Sequence, residues 1–559
     1  MKTLSMMRSG FIVAAGIVAI GLLLQLCVGG IDWDAIAWPT NFVLLIIYIA
    51  LLITTYVLRR KSHAIKWIMS FGAGVPALLI TGIATVGYGI TCIRETLSLW
   101  PFVLLYAWLT TIVGLVAIHQ AASMMKSIIN LRLSLNLGSF LSHLGLFIAI
   151  VCATIGSADI EKVSMEIGSQ MQNPMAIEPL GIRLNHFTID EYPPEFVVIN
   201  NNDGNIVPDD TAKWNIKVLR IYDYAAENDT AGFVVWKHEG ATTAAFVSVN
   251  GSKPEWISNG SYMFEPKAIA LDKAYSLTMP ERAPKRFVAN IDVCYNNNAQ
   301  TENIDLEVNK PYKTAGWTIY LVSYDKQMGR WSPTCVVELI KDPWLPYVYI
   351  GIFLLLAGAV LMLANCLMRF FARIKGSISQ SHRKLAVSFL IVLASAIVCM
   401  IVFYPTMSNK TLMPALQSPW FTPHIIIYMI CYALLGAATL LTIVSAFVNR
   451  SKATAQPKDH PSAIDNLVYA GLSLMTVGML FGALWAKDAW GHYWAWDPKE
   501  TWAAATWLLY LTYIHLRISC PSKAKVDACL LVFAFCCLQM CWWGINYLPA
   551  AQAISVHTY

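Results

Sequence analysis

The chain has 559 residues, of which 57% are hydrophobic and only 13% charged, and its formal net charge is +6. That composition excludes a soluble globular protein. The small positive excess gives no sign of nucleic-acid binding, because the lysines and arginines gather in the loops between long apolar segments.

Eleven apolar segments are near the length of about 20 residues that a helix needs to cross a bilayer. They lie near 11–28, 41–58, 67–92, 102–119, 137–157, 347–368, 385–405, 424–448, 464–485, 500–518 and 525–545. The first follows Lys2 and Arg8 as a signal peptide would. It has no small-residue cleavage site, however, and Leu26 stands before Cys27 where a lipoprotein site needs a small residue. It reads as a retained helix.

Between about 158 and 343 the character changes. Alternating runs such as 214–222 and 317–324 are separated by turn clusters such as Asn200-Asn-Asn-Asp-Gly204, which predicts an all-β domain. Most of the thirteen cysteines lie in apolar segments, where a small buried hydrophobe is the default. Only Cys294 and Cys335 fall in the β-rich stretch, and the sequence leaves open whether they pair.

With the N-terminus in the cytoplasm, the inside loops carry 19 lysines and arginines and the short outside loops carry 4. The positive-inside rule then fixes the orientation, and the β-rich domain lies outside. The expected fold is a polytopic α-helical membrane protein of about eleven transmembrane helices with one large extracytoplasmic β-rich domain.

The most distinctive stretch is Trp490-Gly-His-Tyr-Trp-Ala-Trp-Asp-Pro-Lys-Glu-Thr-Trp502, inside the loop 486–502. Asp497 as N-cap, Pro498 at the first helical position and Glu500 at the third predict a capped helix start. Trp490, Trp494 and Trp496 crowd into seven residues, more compact than an interfacial aromatic belt, and suggest a shelf for a flat apolar ligand.

This stretch resembles the tryptophan-rich signature of haem-handling proteins of cytochrome c maturation, and Asp497-Pro-Lys-Glu-Thr-Trp502 resembles the CcsA (ResC) branch. Four further strings resemble the CcsB (ResB) family: Phe187-Thr-Ile-Asp-Glu-Tyr-Pro193, Ile304-Asp-Leu-Glu-Val-Asn-Lys-Pro-Tyr312, Gly316-Trp-Thr-Ile-Tyr320, and Lys341-Asp-Pro343 running into Tyr349-Ile-Gly351. The expected organisation is an N-terminal membrane region 1–157, CcsB-like from about 67, followed by a CcsB-like β-rich domain 158–343 and a CcsB-like helix 344–370. A basic cytoplasmic linker 371–384 then leads to a CcsA-like membrane domain 385–559.

The eleven histidines sort by depth. His63, His382 and His460 sit in basic inside loops, His186 and His238 in the β-rich domain, and His492 inside the tryptophan stretch as a contact residue. His424 and His557 flank the tryptophan loop on the outer face, where the CcsA family places its two haem ligands. The tail Ser555-Val-His-Thr-Tyr559 departs from the usual family string around the second. His143 and His515 both fall toward the inner leaflet, one from each half of the chain. Ionisable groups inside a span are costly and default to functional readings, and the family carries a histidine pair there. His119, at the very end of its helix, is the rival to His143.

The resemblance implies a fused CcsB–CcsA (ResB–ResC) cytochrome c synthase, or haem lyase, of the System II pathway in a bacterial cytoplasmic membrane. Its substrates would be haem b and the C-x-x-C-H motif of apocytochrome c. His143, His515, His424 and His557 would ligate iron, while Trp490, Trp494, Trp496 and Asp497 would form the reaction site. The chain has no C-x-x-C, so a thiol-reducing partner is implied, and no C-x-x-C-H or Walker A loop, so it neither carries covalent haem nor uses ATP directly. A haem exporter without lyase activity and a b-haem electron-transfer subunit remain as alternatives.

Overall fold

The structure is a computed structural model that describes residues 2–91, 98–129, 137–169, 175–177, 180–207, 213–230, 232–295, 300–375, 414–448, 463–520 and 524–552. The predicted segment 385–405 and His382, His460 and His557 lie outside the described residues.

Ten long helices are present among the described residues: α1 (Lys2–Val28), α2 (Thr40–Leu58), α3 (Phe71–Thr91), α4 (Trp100–Ile129), α5 (Leu137–Gly156), α6 (Leu345–Lys375), α7 (Phe421–Val448), α8 (Ala463–Trp490), α9 (Pro498–Ser519) and α10 (Ala524–Trp542). Nine are long and apolar enough to cross a membrane. The exception, α9, is buried on most of its surface and carries Lys499, Glu500, Thr501, Tyr510, Tyr513 and Arg517. Neighbouring helices replace lipid around it, so it does not need an apolar exterior. The charge at its C-terminal end is matched: Arg517 makes a two-pronged pair with Asp465 (2.9 and 3.0 Å) and also reaches Asp527 (3.1 Å).

The β-rich domain lies between α5 and α6 and is antiparallel in all its strand pairs. One four-stranded sheet orders Glu161–Gly168, Thr334–Lys341, Trp317–Tyr324 and Tyr312–Thr314. A second orders Gln300–Glu307, Pro284–Tyr295, Leu180–Glu191 and Met175–Ile177. Their inner faces share a core that includes Ile167, Leu184, Ile291, Ile319 and Val337, as alternation on a pleated strand requires. A smaller core around Val198, Val247, Ile257 and Leu277 joins the remaining two sheets. Cys294 and Cys335 are both free and buried, which answers the pairing question.

The additional helices α1 and α2 are tied into the bundle. A Cβ at Gly10 would strike the Gly72 carbonyl, so α1 rests directly on α3. Near the start of α2, Asn41 and Trp344 both donate to Asp159 Oδ2 at 2.6 Å, joining α2 to both chain entries of the β-rich domain. That domain covers one end of the bundle. At the same end, Asn309 Nδ2 donates to the Pro414 carbonyl (2.7 Å) and Gln417 Nε2 to the Lys285 carbonyl (2.9 Å), just before α7 begins.

Candidate haem-handling site

The capping box predicted for α9 is realised. Asp497 accepts from the Lys499 amide at 2.9 Å, and Glu500 Oε2 accepts from the amides of Asp497 (3.2 Å) and Ala495 (2.8 Å). Two orphan donors of the helix start are thereby satisfied within the loop itself. Just before the cap, Trp496 has φ +57, a left-handed conformation rare for a bulky side chain. Its ring sits among Phe102 (5.0 Å), Tyr106 (5.5 Å) and Tyr88 (6.4 Å), each nearly perpendicular to it. Edge-to-face packing of this kind holds the residue in place.

The three loop tryptophans do not form a single flat shelf. Trp494 meets Trp496 at 5.9 Å with an interplanar angle of 86°. Trp490 turns the other way, 5.0 Å from Trp485 and stacked on His492 at 6.4 Å. The loop spreads its rings between two groups of helices, because α3 and α4 offer an aromatic pocket that sequence spacing could not reveal. Tyr493 packs into a third place, the apolar cluster of Val348, Ile352, Leu355 and Leu480 with Leu146 of α5.

Beside the loop, His424 is set by close packing. Its Nδ1–H donates to the Gly478 carbonyl on α8 at 2.8 Å. A carbonyl only accepts, so this bond puts the proton on Nδ1 and the lone pair on Nε2. A Cβ at Gly482 would lie 2.8 Å from the His424 ring, so only glycine leaves room for it. The ring also contacts Tyr428 (4.8 Å) and Trp485 (6.1 Å).

The loop is fastened to the β-rich domain. Lys487 and Asp342 approach at 3.8 Å with side chains only 5% and 4% exposed, and Lys487 also donates to the Gly491 carbonyl at 2.8 Å. Gly491 has φ +78, and a Cβ there would strike Ile340. Burial pushes the Asp342 carboxyl above the ordinary carboxylate range, with Lys487 pulling it back. Sequence reasoning singled out Lys341-Asp-Pro343 only as a family string and missed Lys487. No local signal links residues 145 positions apart.

At the opposite end of the bundle the structure brings His143 and His515 together, with ring centroids 6.4 Å apart and planes at 82°. His143 Nδ1–H donates to the Ser139 carbonyl (2.7 Å) and His515 Nδ1–H to the Leu511 carbonyl (2.8 Å). Each bond runs back one turn along its own helix and again leaves the lone pair on Nε2. Two metal–nitrogen bonds of about 2 Å, with about 1.1 Å from each nitrogen to its ring centre, give roughly 6.2 Å. The observed spacing therefore fits two imidazoles sharing one iron. His119 is exposed and lies against Tyr56 at 6.1 Å instead.

Taken with the nine apolar spans among the described residues, the chain is a polytopic membrane protein that carries a β-rich domain at one end and oriented imidazoles at two places in the bundle. Residues 134–338 match the ResB-like family and residues 351–551, beginning inside α6, match the cytochrome C assembly protein family. One polypeptide thus joins a ResB-like part to a cytochrome c assembly part, the arrangement of a fused CcsB–CcsA protein. Among curated relatives, the cytochrome c biogenesis protein CcsA of Prochlorococcus marinus (strain MIT 9312) is 34% identical over 180 residues, 27% of this chain and 57% of its own length. CcsA of Chlamydomonas reinhardtii is 37% identical over 155 residues, 26% of this chain and 42% of its own length. The chain thus spans only about half the length of these relatives.

Proposed function

We propose that this chain acts in cytochrome c maturation, carrying haem b across a bacterial cytoplasmic membrane and attaching it to apocytochrome c on the far side. The N-terminus lies in the cytoplasm and the β-rich domain outside. Haem enters at the end remote from that domain and is held between His143 and His515. It then moves to the tryptophan loop, where His424 and His557 ligate the iron. The two thiols of the apocytochrome C-x-x-C-H motif add across the haem vinyl groups. Each addition forms one carbon–sulfur bond and places the thiol hydrogen on the other vinyl carbon, so no net redox change occurs. The reactive groups belong to the substrates, and this chain contributes position and axial ligation. Thiols must arrive reduced, which calls for a reducing partner.

The observation that carries this reading is the inner pair, two tautomer-fixed imidazoles at the spacing of a shared iron. The test is expression of the full chain with a C-x-x-C-H reporter in a host stripped of its own maturation system. Covalent haem on the reporter is expected. Haem delivered to the outer side without thioether bonds would overturn the lyase assignment and leave an exporter.

A further inference from the structure

His424 lies against one face of α8. Gly478, Gly482 and Trp485 follow one another at spacings of four and three residues and so share that face. Each meets the same imidazole in a different way. The Gly478 carbonyl takes the Nδ1–H, the missing side chain of Gly482 leaves room for the ring, and Trp485 stands 6.1 Å from it. Trp485 is only 4% exposed. It also meets Phe421 at 4.8 Å, on the helix that carries His424, and Trp490 at 5.0 Å, at the start of the tryptophan loop. One indole therefore touches both parts of the outer site. Its N–H is fixed from outside the helix pair. Trp485 Nε1–H donates to the Ala415 carbonyl at 2.9 Å, and the same carbonyl accepts from Asn309 Nδ2 of the β-rich domain at 3.2 Å. A carbonyl oxygen has two lone pairs and can take both donors. Asn309 Nδ2 also donates to the neighbouring Pro414 carbonyl at 2.7 Å, so the short segment that orients the indole is strapped to the β-rich domain.

We infer that Trp485 is a positioning residue that sets His424 against the tryptophan loop, and that the β-rich domain holds it in place through Asn309. An indole suits this task because its single N–H pins one edge of a large apolar ring that has no other polar group to satisfy. Phenylalanine would fill much of the same space but could not be pinned. Through the Ala415 carbonyl, the β-rich domain thus acts on an imidazole by way of Asn309. The part of His424 as an iron ligand rests on the function proposed above. The placement of Trp485 rests on the ring contacts and the shared carbonyl.

The test needs no haem in its first arm. The haem-free full chain in lipid nanodiscs is treated with diethyl pyrocarbonate, and acylation of each histidine is followed by mass spectrometry. The reagent attacks the nitrogen that carries the lone pair, Nε2 in His424. Trp485→Phe should speed acylation of His424 severalfold, because the ring beside it is no longer pinned. Asn309 has φ +65, so Asn309→Gly keeps the backbone and removes only the donor. It should have the same effect, and the two changes together should do little more than either. His515, at the opposite end of the bundle, should react at its wild-type rate throughout and so excludes general loosening. An unchanged His424 rate in Trp485→Phe, or effects that simply add, would overturn the inference. A wild-type rate in Asn309→Gly alone would remove the β-rich domain from it. The second arm measures haem attachment to the reporter. The maximal rate should fall about tenfold in Trp485→Phe, as for the supports of other metal ligands, while the apocytochrome concentration giving half that rate stays the same. A change in that concentration alone would make Trp485 a substrate contact and overturn its positioning role. Faster acylation with full attachment would keep Trp485 as the support of His424 and sink the iron-ligand reading instead.

Discussion

His143 and His515 stand on helices that each pack mainly elsewhere, α5 on α6 and α4, α9 on α3 and α10. His424 stands on a helix pressed against α8 through Gly471, Gly478 and Gly482. The inner rings take their orientation from their own helices, each bonding a carbonyl four residues back. The ring of His424 takes its orientation from a neighbouring helix and sits in a recess made by a missing side chain. The outer position is therefore built by packing, and the inner one by bringing two separately prepared imidazoles to one place. A packed site resists change until its walls are altered. A meeting of two rings fails when either ring is lost.

The largest effect should come from the inner pair. His143→Ala and His515→Ala should each abolish the bis-imidazole absorption spectrum, and the double variant should do little more, since residues acting as a unit are not additive. His119→Ala should leave that spectrum in place. Additive, partial losses would mean that the two rings do not share one iron.

The fastening of the tryptophan loop comes next. Lys487→Ala leaves Asp342 buried without its cation and should cost about 3–5 kcal/mol of stability in a denaturation series. Replacing both residues by apolar ones of similar volume should cost much less. Equal losses in the single and double variants would show that the pair is not energetically coupled.

Gly482→Ala probes the outer recess. The new methyl would displace the His424 ring, so haem attachment should fall about tenfold while the inner spectrum is unchanged, a loss of roughly 1.4 kcal/mol in the reacting complex. Loss of the inner spectrum as well would erase the contrast between the two positions.

Asp497→Ala should destabilise the helix start by about 0.5–2 kcal/mol, and Asp497→Asn, a comparable cap, should restore it. Attachment that fails in the asparagine variant at normal stability would give the carboxylate a role beyond capping.

The smallest effect belongs to the β-rich domain. The Arg183 guanidinium, with Asn303 and Asn185, holds the Asp292 carboxyl below the ordinary carboxylate range. A depressed folded value contributes stability above the unfolded one, and that contribution is lost as pH falls through the folded value. The unfolding midpoint of the wild-type protein should therefore drop on acidification below the usual aspartate range, and Asp292→Asn should flatten that drop.

Much of this was legible in the sequence because the responsible forces are local. Asp497, Pro498 and Glu500 announced their helix start, and the apolar segments predicted helix ends to within a few residues for most of the described helices. The strand 317–324 was read at its observed bounds. The run beginning at Trp214 starts its strand at Ile216 instead, because Asn215 takes φ 37 and breaks the extended backbone. That strand also exposes Val218, Leu219 and Ile221, since irregularities between Val218 and Arg220 and between Tyr222 and Ala225 disturb the two-residue alternation. What the sequence could not show was which distant partners each residue would meet. Trp496 reads as one ring of a shelf until Tyr88, Phe102 and Tyr106 arrive from some four hundred positions away. His143 and His515, which the sequence suggests at similar depth on helices far apart in the chain, do meet, with ring centroids 6.4 Å apart.

The packing of α3 on α9 has a consequence of another kind. Gly82 lies against Leu508 and Leu509, and Gly89 against Trp502, so the early and late parts of the chain meet along a shared seam. Tethered partners meet at an effective concentration that reaches the millimolar range for short flexible links. Their encounter is first order and does not depend on how much protein the membrane holds. Dilution in lipid cannot part the two imidazoles, and every molecule carries them in a one-to-one ratio whatever its abundance.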